Sequence, residues 1–165
     1  MTAAVCSGKV EAGGEEWGNV SDQVFQGTSA LLLDGKGRIA VPARHRDALT
    51  ASDDRQLTFT KSPAGCLWIF KRPAWEAFRT QLLALSMGHD AWRRLFLGSA
   101  VAVEIDSADR VLVPAELRDW AGLDKEVLLV GMGQRLELWN AQRQAALESE
   151  LLASAMPEAV QKIGF

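Results

Sequence analysis

Cysteine is scarce in this chain: Cys6 and Cys66 are its only two, far apart and in no CxxC spacing. That pattern excludes a disulfide framework and a thiolate zinc site, and reads as reduced thiols in a cytosolic protein. Histidine is as rare. His45 and His89 stand beside no Ser or Cys in a nucleophile pattern, and they lack a third ligand for a metal. No apolar run approaches the ~18–20 residues of a membrane span. Residues 1–24 have no apolar central stretch and carry Glu11, Glu15, Glu16 and Asp22, so they do not read as a signal peptide. No glycine-rich loop follows a strand and precedes a helix in the form that cradles phosphate. These absences lead us to expect no enzyme, no metal or other cofactor, no membrane association and no small-molecule substrate.

What is present describes a folded protein. Of the 165 residues, 48% are hydrophobic and 24% charged, a balance that disordered chains do not reach. A chain of this length buries roughly 68–70% of its unfolded surface, whereas half of it would be marginal alone. Each half is therefore expected to need the other half or another chain. The net charge of −3 argues at first against a nucleic-acid partner, but one of the 18 basic and four of the 21 acidic residues lie in 1–24. The remainder carries 17 of each, so local distribution matters more than the sum.

Along the chain, residues 1–24 are rich in Gly, Glu and Ser and lack periodicity, as a disordered tail would. Structure is expected from Val24-Phe25-Gln26-Gly27 onward. A strand over Ser29–Leu33, a turn at Asp34-Gly35-Lys36-Gly37 and a strand over Arg38–Val41 form a hairpin, and Pro42 opens a short helix over Ala43–Leu49. Asp53-Asp54 reads as a solvated loop. A second hairpin pairs Gln56–Lys61 with Cys66–Lys71 around Ser62-Pro63-Ala64-Gly65. Pro73 then opens a helix with Trp75, Phe78, Leu82 and Leu85 on one face, and Asp90 is an N-cap candidate for the helix that follows. The series repeats: strands Val101–Ile105 and Arg110–Val113 about the turn Asp106-Ser107-Ala108-Asp109, Pro114 opening Ala115–Ala121, and a hairpin of Glu126–Val130 with Leu136–Trp139. Asn140 is placed to cap a terminal helix that ends before Pro157. The result is an α+β chain, mainly β, built twice.

The repeated motif is Asp-x-x-x-Arg-[Ile/Val]-x-Val-Pro-Ala, present as DGKGRIAVPA and DSADRVLVPA with a constant offset of 72 residues. With Phe25-Gln26-Gly27, the Arg46-Asp47 and Arg118-Asp119 pairs, Leu123–Val127 and Leu136–Trp139, it resembles the MraZ family of bacterial transcription regulators. The resemblance runs from about Phe25 to the C-terminus. It implies a duplicated AbrB-like (SpoVT-AbrB) swapped-hairpin β-barrel with short helices and a pseudo-two-fold within the chain. The first unit would span 25–95 with its core at 28–73, and the second 96–165 with its core at 99–142. It also implies a ring-shaped homo-oligomer that binds double-stranded DNA at direct repeats in the promoter of its own division and cell-wall gene cluster. Such a protein would be cytoplasmic and nucleoid-associated. The motif arginines, Arg38 and Arg110, are the positions that the family links to DNA. Members usually begin with Met where Val24 stands, so translation from a GTG codon at Val24 is expected.

The residues themselves leave two readings of Arg38 and Arg110 open: a turn-closing pair with Asp34 or Asp106, or a contact to DNA. Charge separates the two copies. Asp34–Arg46 carries Lys36, Arg38, Arg44 and Arg46 against Asp34 alone, a local +3, while Asp106–Arg118 sums to −1. Lys36, opposite Ala108, and Arg44, opposite Glu116, are basic only in the first copy. They join Arg38 and Arg110 as DNA-binding candidates. Asp34, Pro42, Arg46, Asp47, Asp106, Pro114, Arg118 and Asp119 recur in both copies and read as fold residues. On this count the first copy meets phosphates and the second completes the barrel and the ring. The six tryptophans and six phenylalanines read as core or subunit-interface anchors, Trp75, Phe78 and Trp92 among them. A structural or protein-interaction oligomer without a DNA role is the alternative.

Overall fold

A computed structural model of the chain describes residues 24–51 and 54–164. The expected tail up to position 23, with Cys6, lies outside the described residues, and so does Asp53. Asp54 is no bare loop charge: it accepts from the Gln56 amide and pairs with Arg72.

The strands are β1 (Thr28–Leu32), β2 (Arg38–Ala40), β3 (Gln56–Lys61), β4 (Leu67–Lys71), β5 (Val101–Glu104), β6 (Arg110–Leu112), β7 (Glu126–Gly131) and β8 (Leu136–Asn140). Between and after them lie α1 (Ala43–Thr50), α2 (Arg72–Ala84), a 3-10 turn at Met87–His89, α3 (Asp90–Phe96), α4 (Ala115–Trp120), α5 (Ala141–Ala153) and α6 (Glu158–Gln161). The chain is α+β, with mostly antiparallel strands and short helices.

Six strands form one antiparallel sheet in the order β1-β7-β8-β4-β3-β5, and β2 pairs with β6 in a separate antiparallel ribbon. The expected hairpins β3–β4 and β7–β8 are present. Two other expectations are corrected. First, β1 and β2 do not zip into a ladder. The Asp34 amide donates to the Arg38 carbonyl (2.9 Å) and the Gly37 amide to the Asp34 carbonyl (2.9 Å), after which the strands part. β1 runs along β7 and β5 along β3, so each strand leading into a motif turn pairs with a hairpin distant in sequence. Second, no closed barrel forms. β1 and β5 are the two edges of an open sheet, because the turn after each sends the chain out into the ribbon.

That ribbon lies over one face of the sheet and covers it by packing. Alternation along the strands sends Leu57, Phe59, Leu67, Ile69, Val127, Leu129, Leu136 and Leu138 to this face, where they meet Ile39 and Val111 of the ribbon and Leu49 and Leu117 of α1 and α4. The other face carries aromatic side chains. Trp68 stacks on Phe96 of α3 at 5.3 Å and Phe70 on Phe78 of α2 at 5.2 Å, while Trp75 and Leu82 are buried. One carboxylate is buried on β8: Glu137 accepts from the indoles of Trp68 and Trp139 (both 3.0 Å) and from Arg135 (3.2 Å), which satisfies its charge.

Local details depart from expectation at helix ends. Leu85 falls just beyond α2, donates its amide to Leu82 and is exposed. Asp90 is the first residue of α3, and instead of capping it pairs with Arg93 at 2.6 Å. Trp92 keeps 49% of its surface exposed while stacking on Phe96. Asn140 does cap α5, accepting from the Arg143 amide at 3.0 Å. α5 stops at Ala153, ahead of Pro157 as expected, and Pro157 then opens the short α6. Among the described residues, no helix is long and apolar enough to cross a membrane. The core assignment is testable at Phe59, which is fully buried. Phe59→Ala should destabilise the protein by about 3–5 kcal/mol in denaturant unfolding, the range for an aromatic deleted from a packed core.

Candidate nucleic-acid interface

The motif aspartates build the site. In the first turn Asp34 Oδ1 accepts the amides of Lys36 (2.8 Å) and Arg38 (2.9 Å), and Oδ2 takes the Arg38 Nε at 2.7 Å. In the second, Asp106 Oδ1 accepts the amides of Ala108 and Arg110 (both 2.9 Å), and Oδ2 takes the Arg110 Nε at 3.1 Å. The Arg38 amide, first among several hydrogen bonds, pulls the Asp34 carboxyl down to about 2, while desolvation opposes the shift. Asp106 is lowered for the same reason, by the Arg110 amide first. Each motif arginine is thus held by its own turn, as the turn-closing reading anticipated.

The ribbon decides where these arginines stand. Arg38 pairs in register with Leu112, and Ala40 with Arg110. Cross-strand partners share a face, so Arg38, Ala40, Arg110 and Leu112 lie on the side opposite the buried Ile39 and Val111. Two arginines from motifs 72 residues apart therefore share one outward face. Lys36 is exposed at the tip of the first turn.

The two turns are also tied to each other. The Val41 amide donates to the Asp109 carbonyl (2.8 Å) and the Val113 amide to the Gly37 carbonyl (2.9 Å). Gly37 has φ +79°, and its counterpart Asp109 has φ +54°, the one positive value at a non-glycine among the described residues. The glycines missing from the second copy thus change the residue and leave the shape, because aspartate tolerates the left-handed region better than most side chains. A Cβ at Gly37 would meet the Arg118 guanidinium, which lies over it. At the equivalent place Arg46 reaches Asp109, its Nε 3.2 Å from Oδ2, and also donates to the Val41 carbonyl.

The other sequence candidates scatter. Arg44 is exposed in a groove lined by Val24, Gln26, Gly27 and His45, none of them in a turn or the ribbon. Asp47 is exposed, and Asp119 lines a groove with Asp34, Gly35, Arg118 and Lys125. Pro42 and Pro114 precede α1 and α4, and their carbonyls accept from the amides of His45 and Arg118. His45 is buried against Phe25, and its pKa falls below the ordinary 6.5 through burial first and Arg44 second. Cys66 is buried, which pushes its thiol up to about 12, so it is no nucleophile at neutral pH. Among the described residues, no cluster of three His, Cys, Asp or Glu is placed to hold a metal.

One residue that contacts the second turn escaped sequence reasoning. Arg55 Nη2 lies 2.7 Å from Asp109 Oδ1 and donates to the Asp106 carbonyl, while its Nε donates to the Ile105 carbonyl. The count of −1 for Asp106–Arg118 therefore misdescribes the folded surface, because Arg46 and Arg55 both stand on Asp109. No local signal could have revealed Arg55, which precedes β3 and lies 54 residues from its partner.

The family model described as "MraZ protein, putative antitoxin-like" matches twice, over residues 24–95 and 96–162. A protein named Transcriptional regulator MraZ from Leptothrix cholodnii is 55% identical over 146 residues, which are 88% of this chain and all of that protein. Proteins of the same name from Methylibium petroleiphilum and Cupriavidus taiwanensis are 53% and 51% identical, again over their whole lengths and over 88% and 86% of this chain. The chain belongs to the MraZ family.

Proposed function

We propose that the chain is a DNA-binding transcriptional regulator whose β2–β6 ribbon meets the duplex. The observation that carries this is the placement of Arg38 and Arg110 on one outward face, in a chain more than half identical to proteins named as transcriptional regulators. A B-form major groove is ~12 Å wide and admits a two-stranded ribbon. Because Arg38 spends its Nε on Asp34, the Nη1–Nη2 edge remains for an acceptor on a base or phosphate. Lys36 at the turn tip adds a phosphate contact, and Arg44 on α1 a more distant one.

The finer reading follows the family. The two halves, 25–95 and 96–165, are AbrB-like swapped-hairpin units related by a pseudo-two-fold. Copies of the chain form a ring on direct repeats in the promoter of their own division and cell-wall gene cluster, in the cytoplasm and associated with the nucleoid. One ribbon neutralises few phosphates, so it binds weakly and in a salt-dependent manner. A ring whose subunit spacing matches the repeats raises avidity by ~10²–10⁴. Support for self-association lies on α5 and just beyond α6, where Leu151 (66%), Leu152 (79%) and Ile163 (75%) are exposed. The same surface would suit a purely structural oligomer, which salt dependence excludes or supports: a regulator loses promoter affinity steeply as salt rises.

Arg38→Ala should lose binding to a duplex from upstream of the protein's own gene while the oligomer keeps its mass by light scattering. Unchanged gel-shift affinity would reject the ribbon as the DNA face. The aspartate turn makes a separate, pH-resolved prediction. A carboxyl lowered from 3.8 to about 2 stabilises the fold fully above the unfolded value, and that contribution is lost as pH falls through the folded one. The stability difference between the native protein and Asp34→Asn should therefore be constant from pH 8 to 5 and shrink as the pH approaches 2. A difference that already disappears near pH 5 in denaturant titrations would contradict the depressed carboxyl.

A further inference from the structure

We propose that Arg55, assisted by Arg46, is a positioning residue for the DNA face: it clamps Asp109 and so makes the second turn as fit to present Arg110 as the first is to present Arg38. This rests on the reading of the ribbon as the DNA-contacting surface. Asp109 is a carboxylate immediately before Arg110 and three residues after Asp106. Left open, that charge would oppose any approaching phosphate.

The geometry shows Asp109 held by both oxygens. Oδ1 takes Arg55 Nη2 at 2.7 Å and Oδ2 takes Arg46 Nε at 3.2 Å. Arg55 does more than neutralise. It also donates to the carbonyls of Ile105 (3.1 Å) and Asp106 (2.9 Å), and its own carbonyl accepts the Ile105 amide (2.9 Å). The guanidinium thus spans the turn, holding both the backbone of Asp106, whose carboxylate orients Arg110, and the side chain of Asp109. The first turn has a parallel arrangement with different residues: the Leu33 amide donates to the Lys125 carbonyl (2.9 Å), Lys125 lines the groove beside Asp34, and Gly37 carries no charge to neutralise. The second turn keeps the same backbone with an aspartate in the glycine's place, and Arg55 and Arg46 offset that charge. Arg110 and Arg38 then serve as one composite pair, in place of one active copy and one inert copy.

The test is a charge-neutralising double-mutant cycle in the full-length oligomer, with affinity for the promoter duplex measured at fixed salt. Arg55→Ala should weaken binding about tenfold by exposing Asp109, because like charges brought together across an interface oppose association. Asp109→Asn alone should bind as well as the native protein or better, and the Arg55→Ala/Asp109→Asn double variant should recover to within about threefold of it. The same Arg55→Ala variant carrying Glu158→Gln in α6 restores the net charge away from the turn and should not recover. Arg46→Ala should show a smaller loss, likewise cancelled by Asp109→Asn, and this arm decides the matter if Arg55→Ala does not fold. A loss at Arg55 that persists in the double variant, or one relieved equally by Glu158→Gln, overturns the clamp. Arg38→Ala serves as the control: if it binds normally, the ribbon reading fails, whereas its loss alongside an unaffected Arg55→Ala rejects the clamp alone.

Discussion

A carboxylate that accepts two backbone amides and one arginine Nε holds each motif turn, and the arrangement of the whole outer face depends on it. Asp34 and Asp106 are hydrogen-bonded to the chain two and four residues ahead, so the turn and the arginine beside it are set by the same group. Each turn then sends its strand out of the main sheet, and the two departing strands find each other as the β2–β6 ribbon. Without the turn there would be no ribbon, and without the ribbon the two arginines would not share a face.

The sheet beneath is what makes that departure tolerable. Its strands present mostly aliphatic side chains to the ribbon and, in the β3–β4 region, aromatic ones to α2 and α3, so one face is buried under the ribbon and part of the other under helices without closing a barrel. Two polar groups within these layers find their partners locally: Thr60 donates to the Phe96 carbonyl, and Glu137 collects two indoles and a guanidinium. A buried carboxylate so surrounded costs far less than an unpaired one. The ribbon thus rests on a firm platform, which the proposed contact with a duplex in one orientation requires.

Electrostatics shows most clearly why counting along the chain misleads. The second motif segment is acidic in sequence, yet in space its Asp109 is shared by Arg46 from α1 and Arg55 from the loop before β3. Coulomb interactions depend on distance in space and on local dielectric, and neither follows segment boundaries. The two copies are therefore closer in character than their compositions indicate. Their turns differ in how the left-handed position is filled, by Gly37 in one and Asp109 in the other, while the backbone keeps one shape.

Much of this was legible in the residues. Alternating apolar positions, proline before α1 and α4, and an Asp-x-x-x-Arg motif repeated at 72 residues located nearly every strand and helix within a residue or two, because those signals are local. The pair Asp34–Arg38 was readable for the same reason: four residues separate a carboxylate from the amide and guanidinium it binds. Partner choice was not readable. That β1 joins β7, that β5 joins β3, that β2 leaves its own hairpin for β6, and that Arg55 reaches Asp109 are settled by which surfaces can be buried together and which charges then lie within reach. Sequence alone determined the turns and the identity of the arginines they hold. Only the tertiary structure decided that those arginines stand together on an open face, because burial and long-range charge pairing join residues that the chain itself keeps far apart.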